Sequence, residues 1–265
     1  MTGVNEYTEP FARFYDAQLH DTTVGDETYY REAAADADGP VLEGACGTGR
    51  LYLELLRAGV DADGFDASPA MLDRLEAKAD ADGLHPSVWV GDLRTPGADR
   101  EYELVVVPYN SLVALTTVDD QLAALAAAHE LLRPGGRLLF DVYVPRPSVV
   151  AESFGEWRET TVTTADGETL RGLTRTTVDD TVAQTYRAER ELLDDDGNAV
   201  ASETYVNAHL PPQQVELLAR ASPFGDWTAA GGFEGQPLAD DAEIQVWELE
   251  KTEPTTSHTS SYTPK

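Results

Sequence analysis

Val41-Leu42-Glu43-Gly44-Ala45-Cys46-Gly47-Thr48-Gly49-Arg50 is the stretch whose reading decides the fold. Two apolar residues lead into an acid, a glycine-rich turn follows, and a helical pattern opens near Arg50. A buried strand hands over to a helix in this way when a ligand is seated between them, because the first helical amides are left without partners inside the helix. Alone the stretch is weak evidence, since dinucleotide sites and ligand-free loops share it. A dinucleotide site of the G-x-G-x-x-G/A type needs a small third residue so that helix and strand pack closely. Tyr52 stands at that position, which disfavours a nucleotide-dependent oxidoreductase.

Working outward, residues 60–65 read as a second strand, and Ser68-Pro69 starts a helix through about residue 81, with serine at the N-cap and proline at the first helical position. Strands are expected over 87–90, 102–107 and 137–144, with an Ala- and Leu-rich helix over 119–132 and a Pro134-Gly135-Gly136 turn. Residues 49–58 form the helix after the first strand, and 8–20 and 26–37 read as helices that lid the ligand edge. This rhythm implies an α/β fold with a doubly wound, mostly parallel sheet whose ligands bind off the carboxyl ends of the strands.

From about residue 157 the pattern changes. Stretches 160–164, 169–178, 182–193 and 202–210 alternate with period two between Asp-rich turns, the signature of an inserted antiparallel β-meander after the fifth strand. A helix over 212–221 and strands over 227–230 and 244–249 then complete the main sheet. The expected organisation is a core with lid helices over 1–151, the meander over 152–210, core completion over 211–251, and a disordered tail over 252–265.

Asp and Glu total 48 against 19 Lys and Arg, a formal net charge of −29. Such a surface repels nucleic acid and anionic lipid, so neither is an expected partner. Lysine is confined to Lys78, Lys251 and Lys265, a balance that fits a salt-rich (halophilic) cytosol, where the screening length shrinks from about 8 Å to about 3 Å near 1 M salt. No apolar run reaches the roughly 18 residues of a membrane span, and the opening residues lack a signal pattern, so a soluble cytoplasmic protein is expected. Cys46 is the only cysteine, which excludes an internal disulfide and a cysteine-built metal site; no metal is expected. A small residue under the loop is the reading preferred to a reactive thiol.

The combination of motifs is more specific than the loop. Glu43 on the first strand, the loop through Gly49, Asp66 ending the second strand and Asp92 ending the third occur in order at domain-sized spacing. With Leu132-Arg133-Pro134-Gly135-Gly136-Arg137-Leu138-Leu139-Phe140-Asp141, this resembles the class I S-adenosylmethionine-dependent methyltransferases over roughly residues 10–144, and more weakly over the last helix and strands. The Ala-Cys-Gly-Thr-Gly loop, the strand-rich insertion and an opening Phe11-Ala12-Arg13-Phe14-Tyr15-Asp16 are similar to the sugar N,N-dimethyltransferases within it.

The resemblance implies S-adenosyl-L-methionine as cofactor, held by Tyr15, Glu43, Gly44, Ala45, Gly47, Gly49, Asp66, Ala67, Met71, Asp92 and Leu93. The loop glycines let the cofactor approach the backbone, and Glu43 serves its methionine end. Asp66 accepts from ribose hydroxyls, Ala67 and Met71 wall the adenine, and Asp92 and the Leu93 amide meet the ring's edge. Structural alternatives stand beside these: Asp66 caps the next helix, and Asp92 starts a turn. Ala45 replaces the usual first loop glycine, and the family's arginine is missing at Thr22 and Thr23, leaving Arg31 as a candidate replacement.

Tyr109 and Asn110 follow the fourth strand, where they either orient the methyl acceptor, as the candidate catalytic pair, or shape the turn. Val107-Pro108-Tyr109-Asn110 is not the Asn/Asp-Pro-Pro-aromatic motif of nucleic-acid amino-methyltransferases, so a small-molecule acceptor with methyl transfer to N or O is expected. Tyr109, Tyr205 and His209 are the candidate acceptor contacts, the histidine having a structural alternative. Arg158, Arg171, Arg175, Arg187 and Arg190 either recognise an anionic acceptor or pair across strands with Glu168, Glu189, Glu191 and Glu203. The meander is the expected acceptor lid or homodimer surface. A non-catalytic cofactor-binding protein is the competing reading.

Overall fold

The computed structural model describes residues 12, 14–16, 25–164 and 167–252. Strands β1 (Val41–Gly44), β2 (Ala62–Asp66), β3 (Val88–Val90), β4 (Tyr102–Val107) and β5 (Leu132–Tyr143) come first. β6 (Arg158–Thr163), β7 (Thr169–Asp180), β8 (Thr185–Leu193) and β9 (Ala199–Ala208) follow, and β10 (Asp226–Ala230) and β11 (Ile244–Glu250) close the series. The helices are α1 (Asp26–Ala35), α2 (Tyr52–Arg57), α3 (Pro69–Asp82), α4 (Val118–Leu131), α5 (Pro147–Ser153) and α6 (Pro212–Ala221), with a 3₁₀ turn at Ser111–Ala114.

One sheet runs β10-β11-β5-β4-β1-β2-β3. Its first five strands in the chain pair in parallel, while β11 pairs antiparallel with both β5 and β10. Strand order reverses between β1 and β4, so the crevice for a ligand opens beyond the carboxyl ends of these two strands. Period-two alternation explains the unbroken apolar strands. Leu42, Val105, Val107, Leu138 and Phe140 point toward α4 and α6, whereas Val41, Leu104, Val106 and Leu139 point toward α1, α2 and α3. Glu43 and Asp141 follow the second set in phase and so share its face.

The second sheet is the expected meander, ordered β6-β7-β8-β9 with every pair antiparallel. Its turns use the acids that the sequence places there: Asp180 accepts from the amides of Val182 and Ala183 at 2.7 and 2.9 Å, and Asp194 from that of Asn198 at 2.8 Å. Leu170, Leu192 and Ala201 bury against Phe14, which identifies the face turned inward.

Several boundaries differ from expectation. β5 starts at Leu132, because Pro134-Gly135-Gly136 is not a turn ahead of the strand but part of it: the amide of Gly135 donates to the Lys251 carbonyl at 2.7 Å, and the pairing with β4 shifts register there. α2 starts at Tyr52, since Gly49 at φ 83° keeps the loop open beyond the expected helix start. Most of the expected helix over 8–20 lies outside the described residues, although 12 and 14–16 are helical. The expected tail lies outside them beyond Thr252. No described helix is long and apolar enough to cross a membrane.

Candidate active site

The loop after β1 bends through three left-handed residues, Ala45 at φ 56°, Gly47 at 55° and Gly49 at 83°. Gly49 is required twice over: a Cβ there would stand 2.7 Å from Leu75 Cγ, and its φ is one that side chains resist. Beneath the loop lies Cys46, 4 % exposed, its sulfur against Gly64. Gly64 also explains Tyr52. A Cβ at Gly64 would come within 3.2 Å of the tyrosine ring, and the Tyr52 hydroxyl bridges the chain by accepting from the Ser87 amide at 2.9 Å and donating to the Ala62 carbonyl at 3.0 Å. Close packing is achieved here by removing the side chain from β2 rather than from the helix.

Asp66 joins the loop to the turn after β2. It accepts from the Gly47 amide at 2.8 Å through one oxygen and from the Ser68 amide at 2.8 Å through the other, and the Ala67 amide also bonds to it. Burial raises its carboxyl above the ordinary value and these amides oppose the rise. The cap of α3 is Ser68, whose hydroxyl accepts from the Met71 amide at 3.4 Å. Met71 is buried and Ala67 half-buried at this corner.

Glu43, on β1, lacks a full set of partners. It is 2 % exposed, and its Oε2 is buried with no hydrogen-bond partner. Burial pushes its carboxyl up to about 8, with nearby Arg50 opposing and Asp26 and Asp66 adding to the rise. Arg50 is held by the buried Asp26, donating to one carboxylate oxygen at 3.0 Å and to the other in a shorter contact, and its guanidinium lies 5.2 Å from the ring centre of Tyr109. Arg50, not the candidate Arg31, is therefore the arginine beside Glu43. Sequence reading passed it over because its place opposite Asp26 depends on how α1 packs.

Asp92 is engaged within its own turn. Its carboxylate accepts from the Arg94 amide at 2.8 Å, from Arg94 Nε at 2.8 Å and from Arg94 Nη2 at 2.6 Å, which is the turn-forming alternative strengthened by a guanidinium fork. The same arginine reaches Asp120 on α4 at 2.9 Å. Leu93 is half-buried and packs within about van der Waals reach of Gly44 and Phe65, its Cδ2 3.0 Å from where a Gly44 Cβ would be.

Across the crevice, Tyr109 and Asn110 are consecutive left-handed residues at φ 58° and 60°. Asp141 on β5 holds them: it accepts from the Tyr109 amide at 2.8 Å, the Asn110 amide at 3.1 Å and the Tyr30 hydroxyl at 2.7 Å. The Asn110 side-chain oxygen in turn accepts from the Tyr143 amide. This bond is one that the turn-shaping alternative for Asn110 requires, and burial raises Asp141 to about 6. Nothing in the run Leu139-Phe140-Asp141 signals this role; it depends on the neighbouring strand's exit.

The meander's inner face is turned toward this part of the molecule. Tyr15 lies within electrostatic reach of Tyr109, Arg190, Asp66 and Tyr205, with burial raising its hydroxyl well above the ordinary value. Asp16 beside it accepts from the Thr48 hydroxyl at 2.5 Å and from Lys78 at 3.1 Å, pinning this segment over the loop. Tyr205, raised to about 12 by burial, faces Tyr109 from β9. His209 sits in an aromatic group, 5.1 Å from the Tyr186 ring and 6.2 Å from that of Phe154, its pKa lowered by burial, an arrangement in keeping with the structural alternative. The arginines divide: Arg175 pairs with Glu189 and Arg187 with Asp179 on the outer face, whereas Arg190 points inward, 5.2 Å from the Tyr205 ring.

The sheet order, the loop and the carboxylates now stand together, and residues 41–136 match a family described as "Methyltransferase domain". That match spans about a third of the chain. The chain is 30 % identical over 131 residues to the dTDP-3-amino-3,4,6-trideoxy-alpha-D-glucopyranose N,N-dimethyltransferase of Streptomyces venezuelae, covering 49 % of this chain and 52 % of that one. The chain spans about half the length of the first curated relatives it matches. Among solved structures, the CcbJ methyltransferase from Streptomyces caelestis superposes with a TM-score of 0.72 at 24 % identity, over 93 % of this chain and 100 % of that one. SAM-bound CalS10, an amino pentose methyltransferase from Micromonospora echinaspora, gives 0.66 at 21 % over 94 % and 99 %. These superpositions show the fold, which is that of the class I methyltransferases, meander included.

Proposed function

We propose that this protein is an S-adenosylmethionine-dependent methyltransferase acting on an N or O atom of a small-molecule acceptor. The observation that carries the reading is the buried, partnerless Oε2 of Glu43 at the mouth of a loop built from left-handed residues. A buried carboxylate oxygen left unpaired costs about 1–3 kcal/mol or more, and a ligand ammonium group removes that cost. The residues fit the cofactor: Glu43 and the loop for the methionine end, Asp66 through its remaining lone pairs for ribose, and Leu93, Ala67 and Met71 for adenine.

That cofactor supplies a methyl group already activated as a sulfonium. The protein's contribution is alignment, which in well-oriented systems lowers a barrier by as much as about 7–11 kcal/mol. Tyr109 is fixed for this task from two sides, by Asp141 through its amide and by Arg50 against its ring. Asn110 spends its side chain on the Tyr143 amide, so it acts by holding Tyr109 in place. No catalytic base is required for displacement at a sulfonium carbon.

Calorimetry with S-adenosylhomocysteine and with NAD tests the donor half. The expected result is binding of the former alone, and binding of NAD alone sinks the reading. Methyl transfer from labelled S-adenosylmethionine across a panel of amines, hydroxyls and carboxylates tests turnover; cofactor binding without any transfer favours the non-catalytic reading.

A further inference from the structure

Three successive side chains, those of residues 14–16, reach three different parts of the molecule. Phe14, 3 % exposed, packs with Val162, Leu170, Leu192 and Ala201 on the apolar face of the meander. Tyr15 stands within electrostatic reach of Asp66 on β2 and of Tyr109 beyond β4, so it lies across the crevice between them. Asp16 accepts from the Thr48 hydroxyl at 2.5 Å and from Lys78 at 3.1 Å through each carboxylate oxygen. Thr48 is a buried residue of the donor loop, and Lys78 sits on α3, the helix that leaves the Asp66 corner. The stretch therefore runs from the meander, over the crevice, to both elements that frame the donor.

Its two ends differ in kind. The Phe14 end is an apolar contact sealed from water, which added KCl does not screen. The Asp16 end hangs on an ion pair whose side chains are 31 % and 36 % exposed, so water and dissolved ions reach it. Opening at Phe14 would bring a buried ring into water, whereas opening at Asp16 breaks a solvent-reached pair and one hydroxyl bond. The easier motion is a swing about Phe14 that frees the donor loop and leaves the meander contact made.

We propose that residues 14–16 form a strap over the donor crevice, hinged at Phe14 and released at Asp16, and that release of the Asp16 end sets how fast the donor enters and leaves. This assignment rests on the donor reading of the core site and adds its regulation. Ionic strength is the control variable: salt loosens the Asp16–Lys78 pair and speeds exchange without changing what the site binds.

The test compares the wild type with Lys78→Gln, which removes the ion pair from a position on the third turn of α3, away from the Asp66 corner. Dissociation of S-adenosylhomocysteine is read from the exchange broadening of its NMR signals, affinity from calorimetry, and the association rate from the two. Both rates are expected to rise by about two- to fivefold in the variant, the range an exposed ion pair commands, with the affinity unchanged. Unchanged affinity also shows that the variant is folded. Raising KCl from about 0.1 to about 1 M should speed both rates in the wild type and leave those of Lys78→Gln flat; the ligand carries no net charge at neutral pH, so its encounter with the acidic surface is little altered by salt. Rates in Lys78→Gln that match the wild type overturn the proposal. So does faster dissociation with an unchanged association rate, which makes the pair a brace for the bound state and not a gate. Failure of the wild type to bind S-adenosylhomocysteine is a different result: it removes the donor reading, and the gate with it.

Discussion

Ala45 holds φ at 56° in a position where glycine carries no steric penalty. That region costs an L-residue roughly 1–2 kcal/mol, of which alanine recovers part by restricting the unfolded chain. Ala45→Gly is therefore expected to stabilise the protein by about 0.5–1 kcal/mol, seen as a melting temperature higher by about 1–4 °C. Glu43 gives a pH signature. Its folded pKa of about 8 lies above the unfolded value, so the protonated folded state is favoured; this contribution is complete below about pH 4.5 and is lost as pH rises to about 8. Denaturant titrations of wild type and Glu43→Gln should diverge across that window, the wild type losing ground as pH rises; parallel curves would contradict it. Glu43, Gly49 and Asp66 were legible in the sequence because strand phase and the loop place them at the crevice. The Arg94 grip on Asp92 was not, since a carboxylate's choice of partner is settled by side-chain geometry.

Elements meet at Asp141, which ties β5 to the exit of β4 and, through the Tyr30 hydroxyl, to α1. Two successive left-handed, non-glycine residues persist only where their surroundings over-determine them. Asp141→Asn replaces one acceptor oxygen by a donor facing an amide, and is expected to cost about 1–3 kcal/mol of stability, measured by urea unfolding. The same variant should slow methyl transfer more than it weakens S-adenosylhomocysteine binding; an equal loss in both would show a purely structural role. Strand and helix identities were readable from apolar period and turn residues, and the meander from its switch to period two. The early start of β5 was hidden because Pro134-Gly135-Gly136 has the composition of a turn, and the backbone bonds of Gly135 and Gly136 with Lys251 keep it in the sheet.

Across the whole molecule, 48 acids face 19 basic residues. Self-repulsion of this size weakens as the screening length falls from about 10 Å at 0.1 M salt to about 3 Å at 1 M. Raising KCl over that range should raise the melting temperature by several degrees, and a flat or falling curve would show that the short-range pairs, such as Arg50 with Asp26, already offset the repulsion. Fold class followed from the order of elements, as sheet topology obeys few rules. The proposed acceptor side was out of reach, because it lies between the meander's inner face and strand ends far away in the chain.

Cys46 adds a use that its chemistry alone does not suggest. As the only thiol in the chain, and one sealed under the donor loop, it is a built-in clock for that loop's excursions. Modification by an aromatic disulfide reagent proceeds only in molecules whose loop has lifted, so its rate counts openings. Saturating S-adenosylhomocysteine should slow that rate by the factor 1 + [L]/Kd. Breathing of the cofactor cradle can thus be followed in the native chain without an added label or a known acceptor.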